Sequence, residues 1–291
     1  MRTLAHALSL LLLAALPACA APRQSPPCED PRPLRVALVP VKNTHTQTRQ
    51  YRPLITALEA ATGRRVQAEP AKSYGSVIEG LLAGDIDLAE VGPASYAIAM
   101  KRGAQIDPIA SFTLQPGPAT PSSRAYHSVL ISRHGHPARD LKQLRGGTLS
   151  LTDPASTSGA ILPRQAVQRL TGVPLEAYFE RITFAGAHDR SIEAVRTGRV
   201  DATFVASNAV DDAVRNGALR MDEIRILWRS TPIPYDPFVT RRSLCPALQK
   251  QIRQVFLGDT GPLQGMLREL GMTGFVPVTD EDYRDIRQLY P

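Results

Sequence analysis

The sequence predicts an α/β protein of two lobes joined by a two-crossing hinge, with a ligand cleft between them. Three observations lead there. Strand-like apolar runs alternate with helical patterns, as in βαβ units with a mostly parallel sheet. The first half of the body recurs in the second, and the second copy interrupts the first. In the first copy Leu34–Val39 reads as a strand and Arg52–Ala61 as a helix stopped by Gly63. Val77–Leu82 reads as the next helix and Ile86–Val91 as the next strand.

The recurrence is gapless. Ile78, Glu79, Gly84, Asp87, Val91, Gly103 and Ala104 return as Ile192, Glu193, Gly198, Asp201, Val205, Gly217 and Ala218. Every pair is 114 residues apart (192 − 78, 218 − 104). Leu81/Val195, Ile86/Val200 and Lys101/Arg215 fill the register, and Pro40 and Pro154 share it. Two units built alike follow from such a repeat. They are not consecutive: Val129–Ile131 reads as a strand entering the second unit, and Ile224–Trp228 as one leaving it. The expected lobes are therefore 34–122 with 232–291, and 123–231. A chain that crosses twice makes a hinge, and hinged lobes usually hold a ligand between them.

Residues 1–19 read as a signal sequence. Met1 and Arg2 start it, an apolar run covers Leu8–Leu16, and small residues follow. The run is too short to span a bilayer comfortably, and no later stretch is long enough to do so. Leu16-Pro17-Ala18-Cys19 resembles a lipobox that would lipidate Cys19, while Ala18-Cys19-Ala20 also fits ordinary cleavage. The lipoprotein reading is favoured because residues 20–33, rich in Pro and small residues, read as a disordered spacer behind a tether. The expected location is the periplasm or the outer face of a bacterial cytoplasmic membrane. Cys28 and Cys245 could pair in an oxidising compartment or stand as two solitary thiols.

The formal charge of +7 is compatible with an anionic partner. The charges are scattered and aromatics make up only 5%, which argues against nucleic acid. The strongest local chemistry is Asp153–Gly159, between the strand Thr148–Thr152 and the helix Ile161–Leu170. It sets Ser156, Thr157 and Ser158 at a helix start, where free N–H groups and the helix dipole favour an anion. A plain N-cap needs only one such residue. Tyr74 and His188 stand at equivalent helix starts in the two units (188 − 74 = 114), two ring donors suited to a ligand clamped from both sides.

At Tyr74–Glu79, Asp153–Gly159, Phe184–Asp189 and Ile233–Pro237 the chain resembles the periplasmic substrate-binding proteins of phosphate, phosphite and phosphonate ABC importers. The resemblance runs from about residue 34 to 275 and implies the type II periplasmic-binding fold, a tetrahedral phosphorus ligand and an ABC permease as partner. It implies that Ser156, Thr157 and Ser158 form the cradle and that Tyr74 and the hinge-strand Tyr126 line the pocket. It further implies that His188 donates to a ligand oxygen and that Asp236 is the acidic residue after Ile233-Pro234. Asp236 could accept from the P–OH of a monoprotonated ligand while rejecting a fully deprotonated one. Two positions depart from the pattern. Asn208 replaces a carboxylate found in members that take aminoalkyl phosphonates, which predicts weak discrimination in favour of 2-aminoethylphosphonate. Glu90 stands where an aromatic is common, with its role open.

An enzyme reading finds no nucleophile elbow and no phosphate loop, and Cys245 has no motif around it. His134-Gly135-His136 has metal-like spacing but lies in a Gly/Pro-rich stretch that reads as a surface loop. No cofactor or metal is expected, and the chain is expected to be a monomer. A sensory binding protein reporting to a membrane kinase, or a binder of another oxyanion, fits the same sequence.

Overall fold

A computed structural model of the protein describes residues 28–289. The signal sequence, Cys19 and most of the 20–33 spacer lie outside the described residues. No described helix is long and apolar enough to cross a membrane.

The first lobe opens with β1 (Leu34–Leu38), α1 (Thr44–Thr62), β2 (Val66–Pro70), α2 (Tyr74–Ala83), β3 (Leu88–Glu90), α3 (Pro93–Lys101) and β4 (Ile106–Leu114). The chain crosses through β5 (Ala125–Tyr126) into β6 (Ser128–Arg133), β7 (Thr148–Leu151), α4 (Leu162–Thr171), α5 (Leu175–Tyr178), β8 (Arg181–Phe184), α6 (His188–Arg196), β9 (Ala202–Ala206), α7 (Ser207–Arg215) and β10 (Ile224–Arg229). It returns through β11 (Ile233–Pro234) to β12 (Pro237–Arg241), α8 (Pro246–Leu257), α9 (Gln264–Leu270), β13 (Met272–Val276) and α10 (Arg284–Gln288). The repeat is visible in the element starts. β1, α2, β3 and α3 begin at 34, 74, 88 and 93; β7, α6, β9 and α7 begin at 148, 188, 202 and 207, each 114 further on (148 − 34, 207 − 93).

One expectation is corrected. The sheets are mixed, not mostly parallel. The six-stranded sheet runs β13-β4-β12-β3-β1-β2 and the five-stranded one β10-β6-β9-β7-β8. In each, a parallel core (β2-β1-β3, β8-β7-β9) continues into antiparallel strands. The added strands include those that leave or re-enter a lobe at the hinge, and they run back against the core. At the hinge itself β5 and β11 pair antiparallel, Tyr126 opposite Ile233. The two crossings are thus bonded to each other.

Helix α1 begins at Thr44, well before the predicted Arg52. The Asn43 side chain caps it, accepting from the His45 and Thr46 N–H groups. The polar 44–50 stretch carries no apolar period to announce that turn. Gly63 ends the helix in the left-handed conformation (φ 63°), as predicted from its position.

Side-chain alternation loads both faces of each sheet. In the second lobe Leu130, Leu149, Leu151 and Phe204 pack on one face. Val129, Ile131 and Val205 pack on the other with Ile192 and Val210. In the first lobe Leu54 and Leu58 of α1 meet Phe112, Phe238 and Phe256. Burying one such side chain contributes about 1.5–3 kcal/mol. Asp87, fully buried, accepts from the Arg35 N–H (2.8 Å) and from Arg241 Nη2 (2.6 Å). Paired on both sides, it ties β1, β3 and β12 together.

Cys28 and Cys245 are joined in a disulfide, with 4.7 Å between Cα atoms. Around it the Glu29 N–H donates to the Ser243 carbonyl (2.8 Å), the Cys245 N–H to the Glu29 carbonyl (2.8 Å), and Arg241 pairs with Glu29 (2.7 Å). The bridge closes a loop of 217 residues that contains the whole second lobe. Losing a native disulfide typically lowers stability by about 2–5 kcal/mol, more for longer loops. Cys28→Ser/Cys245→Ser is therefore expected to lose a few kcal/mol in urea titration yet keep its far-UV dichroism; unchanged stability would mean the strap constrains nothing.

Candidate functional site

A cleft of about 200 Å³ lies between the lobes, and all eight residues nominated from the sequence line it. Tyr74 opens α2, Tyr126 sits on the hinge strand β5, His188 opens α6, Asn208 is the second residue of α7, and Asp236 lies between β11 and β12. Ser156, Thr157 and Ser158 lead into α4 through a π-helical turn, Thr157–Ile161. Wide turns of this kind recur at functional sites. Gly159 permits it: a Cβ there would collide with the Thr152 side chain.

The cradle is made of neutral donors. Ser156 Oγ accepts from the Gly159 N–H (3.1 Å), which leaves its own proton to give. Thr157 Oγ1 accepts from the Ala94 N–H of the other lobe (2.8 Å) and likewise keeps its proton. The N–H groups of Thr157 and Ser158, first in the turn, have no helical carbonyl to bond. Helices α2 and α3 from one lobe and the α4 turn, α6 and α7 from the other all start at the cleft, so their positive ends converge there.

His188 is buried, and its Nδ1 accepts from the Ala206 N–H (3.3 Å), with Thr152 Oγ1 3.0 Å away. That assignment puts the ring proton on Nε2, leaving a neutral donor. Burial pushes the imidazole down to about 4. Burial beside Asp236 holds the Tyr74 and Tyr126 hydroxyls well above their ordinary range, so both stay donors. Asn208 Nδ2 donates to Tyr235 Oη (3.2 Å), and its Oδ1 is buried without a partner.

Two carboxyls share the wall opposite. Glu90, at the end of β3, is buried and takes the Tyr51 hydroxyl at 2.6 Å. Desolvation pushes it up to about 7 against the pull of Tyr51 and Lys42. Asp236 is pushed well above the carboxylate range, by burial first and Glu90's charge second.

The lobes touch across the cleft. The His188 N–H donates to the Val41 carbonyl (3.1 Å) and Asp189 accepts from the Asn43 N–H (2.8 Å). Lys42 Nζ bonds Asp212 at 2.6 Å. Sequence reasoning missed Lys42, Asn43, Tyr51 and Tyr235. The repeat held a signal for the first two: Lys42 and Asn43 stand 114 residues before Ser156 and Thr157 (156 − 42), in the register that Pro40 and Pro154 define. Tyr235 adjoins Asp236 within a motif already singled out.

A two-lobed α/β protein closing on a cleft of neutral donors is a solute-binding protein. Residues 36–283 match the family described as "ABC transporter, phosphonate, periplasmic substrate-binding protein", and the chain belongs to that family. Its members bind substrate for transport and are not enzymes. The chain is 30% identical over 278 residues to the "Phosphate-import protein PhnD" of Mycolicibacterium smegmatis, covering 89% of this chain and 85% of that one. It is 27% identical over 267 residues to the "Phosphonates-binding periplasmic protein" of Escherichia coli (90% and 77% covered). Among solved structures, a binding protein of an ABC phosphonate transporter from Pseudomonas aeruginosa superposes with a TM-score of 0.80 at 22% identity, covering 89% and 86%. PhnD1 of Prochlorococcus marinus, in complex with methylphosphonate, does so at 0.75 and 18% identity, covering 89% and 97%. The type II periplasmic-binding fold expected from the sequence is the fold observed.

His188 gives a pH test of the site's architecture. Its folded value lies below the ordinary 6.5. Below pH 6.5 the unfolded chain therefore binds a proton that the folded one refuses, and the contribution of His188 to stability falls as pH drops towards 4, opposite in sign to that of the raised carboxyls Glu90 and Asp236. The expected loss is about 3 kcal/mol. His188→Asn, whose Oδ1 can replace Nδ1 as acceptor, should flatten that acid limb in urea titrations at pH 7 and 4.5. An unchanged limb would place the proton-refusing group elsewhere.

Proposed function

We propose that the protein captures a small phosphorus oxyanion outside the cytoplasmic membrane and delivers it to the permease of an ABC importer. Phosphite or a short alkylphosphonate is the preferred ligand, and phosphate the third candidate. The carrying observation is the Ser156–Thr157–Ser158 turn, three consecutive hydroxyls at a helix start, completed by a backbone N–H from the opposite lobe. Tyr74, Tyr126 and the Nε2–H of His188 add neutral donors around it. The names of the relatives favour phosphorus among oxyanions, and the methylphosphonate bound to the Prochlorococcus marinus protein favours a short substituent.

Asp236 belongs to this reading as the group that asks for a ligand proton. With Asp236 ionised, sulfate, which carries none at neutral pH, is disfavoured on that ground. Asn208 offers no charge to an ammonium group, so it gives 2-aminoethylphosphonate no ion pair. The moving bodies of the reading are 34–122 with 232–291, and 123–231, working as a monomer. The lipid at Cys19, where the signal is cut as a lipoprotein, would keep the protein at the membrane surface.

Calorimetric titration of residues 28–291 with phosphite, methylphosphonate, 2-aminoethylphosphonate, phosphate and sulfate tests this. A ligand binding at micromolar or tighter, about −8 kcal/mol, is expected among the first four. Ser156→Ala should weaken it by about 10- to 100-fold, the worth of a hydrogen bond to a charged group. Asp236→Asn should narrow the preference over sulfate. Failure of all five to bind would remove the oxyanion reading while leaving the family and fold in place.

A further inference from the structure

The charged groups that line the cleft proposed to take an anion are mostly negative. Among the described lining residues the charged side chains are Lys42, Glu90, Asp189, Asp212 and Asp236: one ammonium against four carboxyls. Lys42 is already bonded to Asp212 at 2.6 Å. Asp189 is anchored at the rim by the Asn43 N–H. Glu90 and Asp236 are the two buried ones, at 5% and 8% exposure, and neither has a cation bonded to it among the described residues. An anion brought against two buried, unneutralised carboxylates would meet repulsion that no neutral donor set offsets.

The groups in electrostatic reach of Glu90 come from every element around it. Tyr51 approaches from α1, Lys42 from the loop after β1, Tyr74 from α2, and Tyr235 and Asp236 from the β11–β12 connection. Its flanking strand neighbours, Leu38 on β1 and Phe238 on β12, are apolar. The three tyrosines are donors only while protonated and bring no positive charge. Lys42 brings one, shared with Asp212. Apart from that shared ammonium, no cation in this shell offsets a second negative charge beside the first.

We propose that Glu90 is a specificity-determining residue that sets the charge state in which the cleft takes its ligand. In the closed, ligand-bound cleft Glu90 is the neutral carboxyl, and capture of the oxyanion takes up a proton from solvent there whenever the free protein holds Glu90 ionised. This rests on the oxyanion reading above and adds to it a role for the position where the chain departs from its family's pattern. The value near 7 that burial gives Glu90 with the lobes in contact is consistent with it. A bound anion raises that value further, so affinity is level below pH 7 and falls as pH rises above it. The Tyr51 hydrogen bond, which favours the ionised form, places the transition near neutrality.

The test is calorimetry of methylphosphonate binding at pH 6 and pH 8, in buffers of different ionisation enthalpy, which counts the protons taken up. Glu90→Gln is the comparison, because its amide oxygen can still accept from Tyr51. The ligand's own proton is common to both proteins and cancels in the difference. At pH 8 the wild type is expected to take up close to one proton more than Glu90→Gln. Between pH 6 and 8 it should lose about tenfold more affinity. Equal proton counts and parallel profiles would overturn the proposal. So would tight 2-aminoethylphosphonate binding that takes up no Glu90-linked proton and is lost in Glu90→Gln, since Glu90 would then be a carboxylate facing an ammonium. Should Glu90→Gln fail to fold, Tyr51→Phe serves instead: the break in the affinity profile should move to higher pH, and an unmoved break overturns the proposal. Absence of binding by any oxyanion at pH 6 sinks the oxyanion reading and this proposal together; binding without the Glu90-linked proton sinks this one alone.

Discussion

Thr157 is held by both lobes at once, and the geometry of the site follows from that. Its backbone belongs to the π-helical turn of the second lobe, while its hydroxyl accepts from the Ala94 N–H at the start of α3 in the first. Ser95 Oγ reaches the Ala155 carbonyl alongside (3.0 Å), and the Tyr74 N–H reaches the Asp153 carboxylate (3.3 Å). The hydroxyl cradle is therefore finished only in the closed arrangement. Each such bond contributes about 0.5–1.5 kcal/mol net to the arrangement in which the lobes touch. A ligand bonded by both halves then adds affinity for that state alone, which is what shifts a population.

The repeat explains why these groups meet. In each lobe the helices α2/α3 and α6/α7 follow the carboxyl ends of parallel strands, where ligand crevices of α/β sheets form. Two copies facing each other across the β5–β11 hinge bring helix starts together from both sides. Position 74 in one copy and position 188 in the other then need no other reason to oppose each other. The lengths that differ between copies lie after β1 and β7: one runs directly into α1 through the Asn43 cap, the other makes the three-hydroxyl turn. The copies share the scaffold, and they diverge where ligand chemistry is decided.

That division also governs what could be read from the sequence. The two-lobed fold was legible because strand and helix periods are local and the 114-residue register is gapless. Ser156–Ser158, Tyr74 and His188 were legible because a helix start is marked by nearby residues. What escaped depends on distance through space. The antiparallel extension of each sheet is a tertiary matter, since nothing local in β4, β6 or β12 says which neighbour it will pair with. The start of α1 carries polar residues whose helicity comes from the Asn43 cap. Pairing of Cys28 with Cys245 could not be decided from residues 217 apart. Glu90 sits inside an apolar strand pattern, and only its burial against Tyr51 shows that it faces the cleft.

On the proposed reading the site takes an anion with no free cation among its described lining residues. A lysine or arginine at the centre would bind any small anion, with strength set by charge and screened by salt. Here the attraction comes from oriented N–H and O–H groups whose positions are set by helix starts, so it depends on the shape and oxygen count of the ligand. Neutral His188 and the high-lying tyrosines fit the same plan, since none of them changes charge near neutral pH. On that reading the buried carboxyls do not oppose binding as long as Glu90 carries a proton and Asp236 shares the one the ligand brings. They would turn a general affinity for oxyanions into a preference for those that bring a proton to that wall. With no free central cation among the described residues, discrimination among tetrahedral anions would rest on protons and hydrogen-bond geometry.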